Sequence, residues 1–264
     1  MPARRSRLRE RISTRRYVGI ALGTFASLLA IWWAVTAFGL VDPIFLPSPG
    51  AVFLRLGELA GEGTLWSDIK VSVYRITVAY LIASTMAIAI GPLMGMSARI
   101  EAALEPLFDF IRYMPVVAFV TLTVIWVGTG DAAKFLLIWM GTFFQQALMM
   151  ADAVRQVPQP MVHLGETLGM SRTQILLRIV FPAAWPRIYD SLRMTLGWAW
   201  TWLVVAELVA ASAGLGYRLT VAKRYFATDT IFGYLLILGL LGLLFDQGMR
   251  ALGRFLFRYQ KARS

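Results

Sequence analysis

Long uncharged apolar runs constrain this chain more than any other feature. Residues 17–40, 76–98, 113–130 and 135–151 each lack Asp, Glu, Lys and Arg. Two weaker stretches follow: 188–211, which carries Asp190, Arg193 and Glu207, and 230–245, which ends at Asp246. A helix that crosses a bilayer needs about 20 mostly apolar residues, so the reading is six spanning segments. Helix is the state to expect, because hydrocarbon offers backbone groups no partner, and a barrel would alternate polar and apolar residues over strands of about ten. The expected fold class is all-α: a polytopic transmembrane helical bundle of about six spans.

Composition agrees. Hydrophobic residues make up 58% of the chain and charged ones 16%, where a soluble protein carries roughly 25% charged. A net charge of +11 in a soluble chain would point to nucleic acid. Here the basic residues fill the gaps between apolar runs, so no nucleic-acid partner is expected and membrane lipids are. With the N-terminus placed in the cytoplasm, the inside segments 1–16, 97–105, 153–187 and 250–264 hold seventeen Lys and Arg. The outside segments 41–69, 129–134 and 213–229 hold five. That bias orients the chain with both termini cytoplasmic. It divides the chain into a basic tail (1–16), a membrane domain (17–250) and a second basic tail (251–264). The run 17–40, at 24 residues, exceeds the apolar core of a signal peptide, about 7–15 residues, and reads as a first span. No cysteine and one histidine, His163, exclude disulfides, thiolate chemistry and a paired-histidine metal site. Neither a catalytic set nor a resident cofactor is expected.

The longest inside segment, 153–187, is patterned beyond what a connector needs. Pro160 can open a helix, and Met161, Leu164 and Leu168 recur at helical spacing. Gly169 suits the left-handed residue that closes such a helix. Ser171-Arg172-Thr173-Gln174 reads as a capping box for a second helix, with Ile175, Leu176, Ile179 and Val180 on its apolar face and Pro182 at its end. The expectation is a pair of short helices meeting at Gly169. In the first outside loop, Pro43, Pro47 and Pro49 argue against helix, which resumes at 51–60 as an amphipathic stretch along the membrane surface.

Within this loop, Gly169 followed after nine residues by Ile179, one residue, then Phe181 and Pro182 resembles the EAA loop of permeases in binding-protein-dependent ABC importers. Thr167-Leu168-Gly169-Met170-Ser171, Leu46-Pro47-Ser48-Pro49, Ile125-Trp126-Val127-Gly128 and Gly214-Leu215-Gly216-Tyr217 are similar to the nitrate/sulfonate/taurine branch. Two departures stand out: His163-Leu164-Gly165 replaces the opening Glu-Ala-Ala, with Glu166 three positions on, and Thr121 stands where proline is usual. The resemblance implies a subunit of the bacterial inner membrane with a coupling helix formed by Glu166, Thr167, Leu168, Gly169, Met170 and Ser171, with Ile179 and Pro182. It also implies a cytoplasmic ABC ATPase dimer carrying ATP and Mg, a second copy of the permease, and a periplasmic or lipid-anchored substrate-binding protein. The implied substrate is a small anion such as nitrate, taurine or an alkanesulfonate. The residues agree on one point: no Gly-x-x-x-x-Gly-Lys-[Ser/Thr] phosphate loop is present, since the four lysines follow Ile69, Ala133, Ala222 and Gln260. A secondary transporter or channel is the alternative, but its customary inverted repeats are not visible.

Ionisable groups inside spans are costly and point to function. Arg75, Arg112, Gln145, Trp202 and Glu207 are the candidates for a translocation path. Glu207 also calls for an arginine partner. Gln145 and Gln146 are adjacent, so at most one can line a path; Trp198 and Trp200 read as packing residues. Gly91, Gly95, Gly197 and Gly239 read as sites of close helix approach. Reporter fusions after Arg155 and Arg254 should report cytoplasm and one after Val41 the periplasm; a periplasmic signal at Arg155 reverses the orientation.

Overall fold

The computed structural model describes residues 12–258. Its regular structure is helical: α1 (Thr14–Ala37), α2 (Pro49–Gly61), α3 (Thr64–Met96), α4 (Ala98–Tyr113), α5 (Val120–Val127), α6 (Asp131–Arg155), α7 (Gln159–Thr167), α8 (Arg172–Ile175), α9 (Phe181–Ala210), α10 (Leu215–Arg224) and α11 (Thr228–Leu256). A 3₁₀ turn, Val116–Phe119, precedes α5, and a π turn, Leu176–Val180, joins α8 to α9.

Three of the apolar runs become helices long and apolar enough to cross a membrane: α1, α3 and α11. The run 113–130 does not form one straight helix. It starts on the last residue of α4 and continues through the 3₁₀ turn into α5, and the two helices meet at 84°. Pro115 is the cause: the residue before it, Met114, is extended (φ −69°, ψ 134°), as a following proline requires. At eight residues, α5 is about 12 Å long and cannot span hydrocarbon alone. Helices α6 and α9 have 25 and 30 residues, ample length, but neither contains a stretch of 18 residues apolar enough to stand with the other three. Ser48 caps α2 through its hydroxyl and Pro49 occupies the first turn, so this helix starts two residues earlier than its sequence pattern indicates.

Helix α6 is the centre of the bundle. It packs most extensively on α3 and next on α9. Small residues bring α3 and α6 together: a Cβ on Gly91 would lie 2.6 Å from Met150 Cβ, and one on Gly95 2.6 Å from the Ala151 carbonyl. Ala83, Ala87, Ala147 and Ala151 are fully buried along the same seam. Gly197 and Gly239 have open space beside them, so the close-approach reading fails there. The Gln146 amide spans the three central helices, donating to Ser84 Oγ at 3.2 Å and Thr195 Oγ1 at 3.0 Å. Helix α1 lies at the edge, exposed along its span, and is fastened where the Trp32 indole N–H donates to the Pro47 carbonyl at 2.9 Å.

One end of the bundle is closed by a buried ionic cluster. Arg75 on α3 donates to Glu207 on α9 (Nη1–Oε1 2.8 Å), to Asp131 at the start of α6 (2.7 Å) and to the Ala213 carbonyl (2.6 Å). The Glu207 carboxylate also accepts from the Ser72 hydroxyl and the Gly216 N–H. The Gly214 N–H donates to Asp68 and the Leu215 N–H to Ser72. Three N–H groups at the opening of α10, which no helical partner can satisfy, are thus met by side chains of α3 and α9. Asp68 also takes Arg218 and the Tyr234 hydroxyl, each at 2.9 Å. Gly214 is at φ 118° with Glu207 packed against its Cα, a position no other residue fits. Glu207→Ala strips Arg75 of its fully buried counter-charge and should cost about 3–5 kcal/mol. Thermal unfolding in detergent checks this: a marked fall in midpoint is expected, with the exposed Lys70→Ala near wild type, and an unchanged Glu207→Ala midpoint refutes the account.

Candidate functional site

A cavity of about 410 Å³ opens between α4, α6 and α9. The end of α4 supplies Arg112 and Tyr113, α6 supplies Gly141, Phe144 and Gln145, and α9 supplies Trp198, Thr201 and Trp202. The three α9 residues are spaced three and one apart, which places them on one helical face. Gly141 makes room for the Trp202 indole, because a Cβ there would collide with that ring. Arg112 is held at several points: Nε to Asp109 at 2.9 Å, Nη1 to Gln145 Oε1 at 3.2 Å, Nη2 to the Tyr113 hydroxyl at 3.2 Å, and its guanidinium 4.8 Å from the centre of the Tyr113 ring. Of the adjacent glutamines only Gln145 reaches the cavity; Gln146 is buried in the seam. Trp200 is buried edge-on to Phe245 at 5.5 Å, as a packing residue should be, whereas Trp198 lines the cavity.

The five path candidates divide. Arg112, Gln145 and Trp202 come together at this cavity. Arg75 and Glu207 do not: their side chains are 6% and 0% exposed and they are spent on each other. Neither lines this cavity, and each is sealed by its counter-ion. The arginine partner expected for Glu207 is Arg75. Tyr113, Thr201 and Asp109 escaped the sequence reading. The signal for Asp109 was present in α4, where Glu101, Glu105, Asp109 and Arg112 recur at helical spacing as a polar stripe; Tyr113 and Thr201 had none. Arg155, at the far end of α6, takes the lower part of that stripe through Glu101 and Glu105, and also pairs with Asp152 at 2.7 Å. The hydrogen bond that Arg155 donates to Asp152 pushes the arginine's pKa further up, so Arg155 stays charged throughout.

In the segment 153–187, α7 has Pro160 in its first turn and is closed by Gly169 at φ 70°. The Gly169 N–H returns to the Glu166 carbonyl at 2.9 Å and the Met170 N–H to Gly165 at 3.0 Å. The capping box forms: the Gln174 N–H donates to Ser171 Oγ at 3.3 Å and the Ser171 N–H to Gln174 Oε1 at 2.8 Å. Pro182 does not end the second helix. It sits in the first turn of α9, where a missing N–H costs little, and the π turn before it takes up the mismatch. The second element of the pair is therefore the leading end of the long helix α9. Gly169 takes the left-handed conformation expected of it. The space beside it is open, and the tight contact falls at Gly165, where a Cβ would lie 2.8 Å from Ile179 Cδ1 and 2.9 Å from Ile175 Cγ1. Glu166 is exposed and bonded to His163 Nδ1 at 3.0 Å; Thr167 donates to the His163 carbonyl. Leu168 is exposed, Met170 half-buried, and Met161, Leu164 and Leu177 add to an exposed apolar row.

Comparison with known proteins places this architecture. The family model described as "Binding-protein-dependent transport system inner membrane component" matches residues 79–258. The "Taurine transport system permease protein TauC" of Escherichia coli is 36% identical over 253 residues, covering 94% of this chain and 92% of that one. The "Putative aliphatic sulfonates transport permease protein SsuC" of Bacillus subtilis is 32% identical over 90% of this chain and 86% of its own. The "Bicarbonate transport system permease protein CmpB" of Synechococcus elongatus is 30% identical over 78% and 74%. In fold, a chain of the inward-facing MetNI methionine ABC transporter superposes with a TM-score of 0.61 at 18% identity, covering 73% of this chain and 97% of that one. A bundle of this helix order, matched by a family model over most of its length and by full-length permease relatives, belongs to the family of inner membrane components of binding-protein-dependent transport systems, as a permease subunit of an ABC importer.

Proposed function

We propose that this chain forms the translocation path for a small anion and is driven through the turn between α7 and α8 by an ATPase on another chain. The cytoplasmic partner is an ABC ATPase dimer that binds ATP and Mg and hydrolyses the nucleotide. A second copy of this permease completes the path, and a periplasmic or lipid-anchored binding protein delivers the solute. The chain crosses the membrane six times, with both basic tails (1–16 and 251–264) and the coupling loop (153–187) on the cytoplasmic side. The substrate is drawn from the sulfonate, taurine, nitrate and bicarbonate class, which accords with the relatives' names and with the guanidinium at the cavity.

The observation that carries the docking assignment is the exposed row on α7. Met161, Leu164 and Leu168 are 42%, 59% and 68% exposed on a helix held in one geometry by Gly169 and the Ser171 cap. An ordered apolar ridge on a segment outside the apolar runs calls for a protein partner. Glu166, Thr167, Leu168, Gly169, Met170 and Ser171 form the contact surface. Ile179 sets its angle through Gly165, and Pro182 sits at the joint with α9.

The test is substitution at both glycines. Gly165→Val must displace Ile175 or Ile179 and so tilt α7. Gly169→Val adds backbone strain of about 1–2 kcal/mol with no collision. Gly165→Val should insert in the membrane normally but lose most ATPase co-purification and coupled uptake in reconstituted vesicles; Gly169→Val should be impaired less, and Arg263→Ala not at all. Wild-type assembly and uptake by Gly165→Val removes the docking assignment.

A further inference from the structure

Two of the arginine–carboxylate pairs in this bundle have nearly the same separation and opposite surroundings. Arg75 and Glu207 are 2.8 Å apart and 6% and 0% exposed; Arg112 and Asp109 are 2.9 Å apart and 29% and 41% exposed. Glu207 is also tied to Ser72 and Gly216. Asp109 has Arg112 as its one partner among the described residues. A carboxylate with several buried bonds cannot let go. One with a single half-exposed bond can, because solvent offsets much of the pair's energy.

The cavity beside Arg112 is rich in unspent donors. Among its lining residues Arg112 is the one that carries a charge, and no carboxylate is among them. The Gln145 carbonyl accepts from Arg112, while its amide N–H₂, the Thr201 hydroxyl and the indole N–H groups of Trp198 and Trp202 make no hydrogen bond within the described residues. The guanidinium's five N–H groups have three side-chain acceptors: Asp109, Gln145 and Tyr113. Donors in excess of acceptors around one cation, in a cavity of small-molecule size, suit the several lone pairs of a sulfonate or carboxylate head.

We propose that Arg112 and Asp109 form an exchangeable ion pair in which the solute's oxyanion head takes the guanidinium as Asp109 releases it. This rests on the importer reading above and names the residues that determine specificity within it. Arg112 selects the anion and Asp109 sets how firmly it is held. A translocation site must bind well enough to admit the solute and weakly enough to lose it. An unpaired arginine in a dry cavity would hold an oxyanion too long. A built-in carboxylate that competes for the same guanidinium shortens the stay and recovers the cation when the solute leaves. A neutral solute has no means to part the pair, so discrimination against it follows from the same arrangement.

The test uses the whole transporter, permease with ATPase and binding protein, in vesicles, with taurine and ethanesulfonate as probes. Arg112→Gln should lower the maximal uptake rate at least about tenfold, and Arg112→Lys, which keeps the charge but not the fork, should fall between. Asp109→Asn should split the parameters: half-saturation at a several-fold lower probe concentration, with a lower maximal rate. Co-purification with the ATPase and the thermal midpoint separate this from misfolding. Wild-type uptake by Arg112→Gln, or an Asp109→Asn complex unchanged in both parameters, overturns the exchange. A wild-type complex that moves neither of these probes, nor nitrate nor bicarbonate, under ATP hydrolysis overturns the anion-importer reading itself, and the exchange with it.

Discussion

The contact between Arg75 and Glu207 sets the frame on which everything else in this bundle is mounted. A guanidinium and a carboxylate buried together are expensive to desolvate, and the expense is met only when every remaining donor and acceptor finds a partner. Here the surplus bonds are used to build. Asp131 brings in the start of α6, the Ala213 carbonyl fixes the chain after α9, and Ser72, Asp68 and Glu207 take the free N–H groups that open α10. Four helices and a loop are thereby tied at one end, with further ties to α11 through Tyr234. Packing of small residues along α3 and α6 then carries that order down the bundle, and the Gln146 bridge repeats the device once, without charge.

Polar groups elsewhere are arranged on a different principle. Along α4 the stripe of Glu101, Glu105, Asp109 and Arg112 is half-open, and each ion pair in it is met by a single guanidinium, Arg155 below and Arg112 above. None of these groups is sealed. One face of the molecule is thus rigid because its charges are closed off, and another stays responsive because its charges are matched but reachable. Burial divides the two, since the residue types are the same.

That division explains what could be read from the sequence. The runs that became α1, α3 and α11 were legible because apolar length is a local property. The need of Glu207 for an arginine was legible because an unpaired carboxylate in hydrocarbon is costly whatever surrounds it. The broken helix at 113–130 was not recognised, although Pro115 was its cause, because apolar character masked a backbone signal. Pro182 misled in the opposite sense: proline ends a helix in its interior but opens one in its first turn, and the π turn that decides between these is invisible in residue type. Arg75 and Arg112 could not be told apart, since both are arginines near the ends of apolar stretches. Gly169 and Gly165 show the same limit. A positive φ can be guessed from glycine after an amphipathic run, but which glycine faces Ile175 and Ile179 depends on how α7 lies across α9.

The continuity of α9 has a mechanical consequence. The capped turn at Ser171 runs through the π turn directly into a helix of 30 residues, about 45 Å long. That helix carries Trp198, Thr201 and Trp202 at the cavity and Glu207 near its other end. The far end is pinned by the buried cluster, and the near end is joined to the exposed turn that the proposed ATPase would grip. A displacement there cannot translate the rod freely; it must swing it about Glu207 or flex it at the π turn, where the hydrogen-bond ladder is already irregular. A swing moves the indoles and Thr201 relative to Arg112, which sits on α4, away from the turn; α6 runs into α7 through residues 156–158 and meets the same turn from its other side. The cavity's donors come from α4, α6 and α9, so on the proposed reading a geometry that receives an oxyanion would last only as long as α9 keeps one position relative to α4.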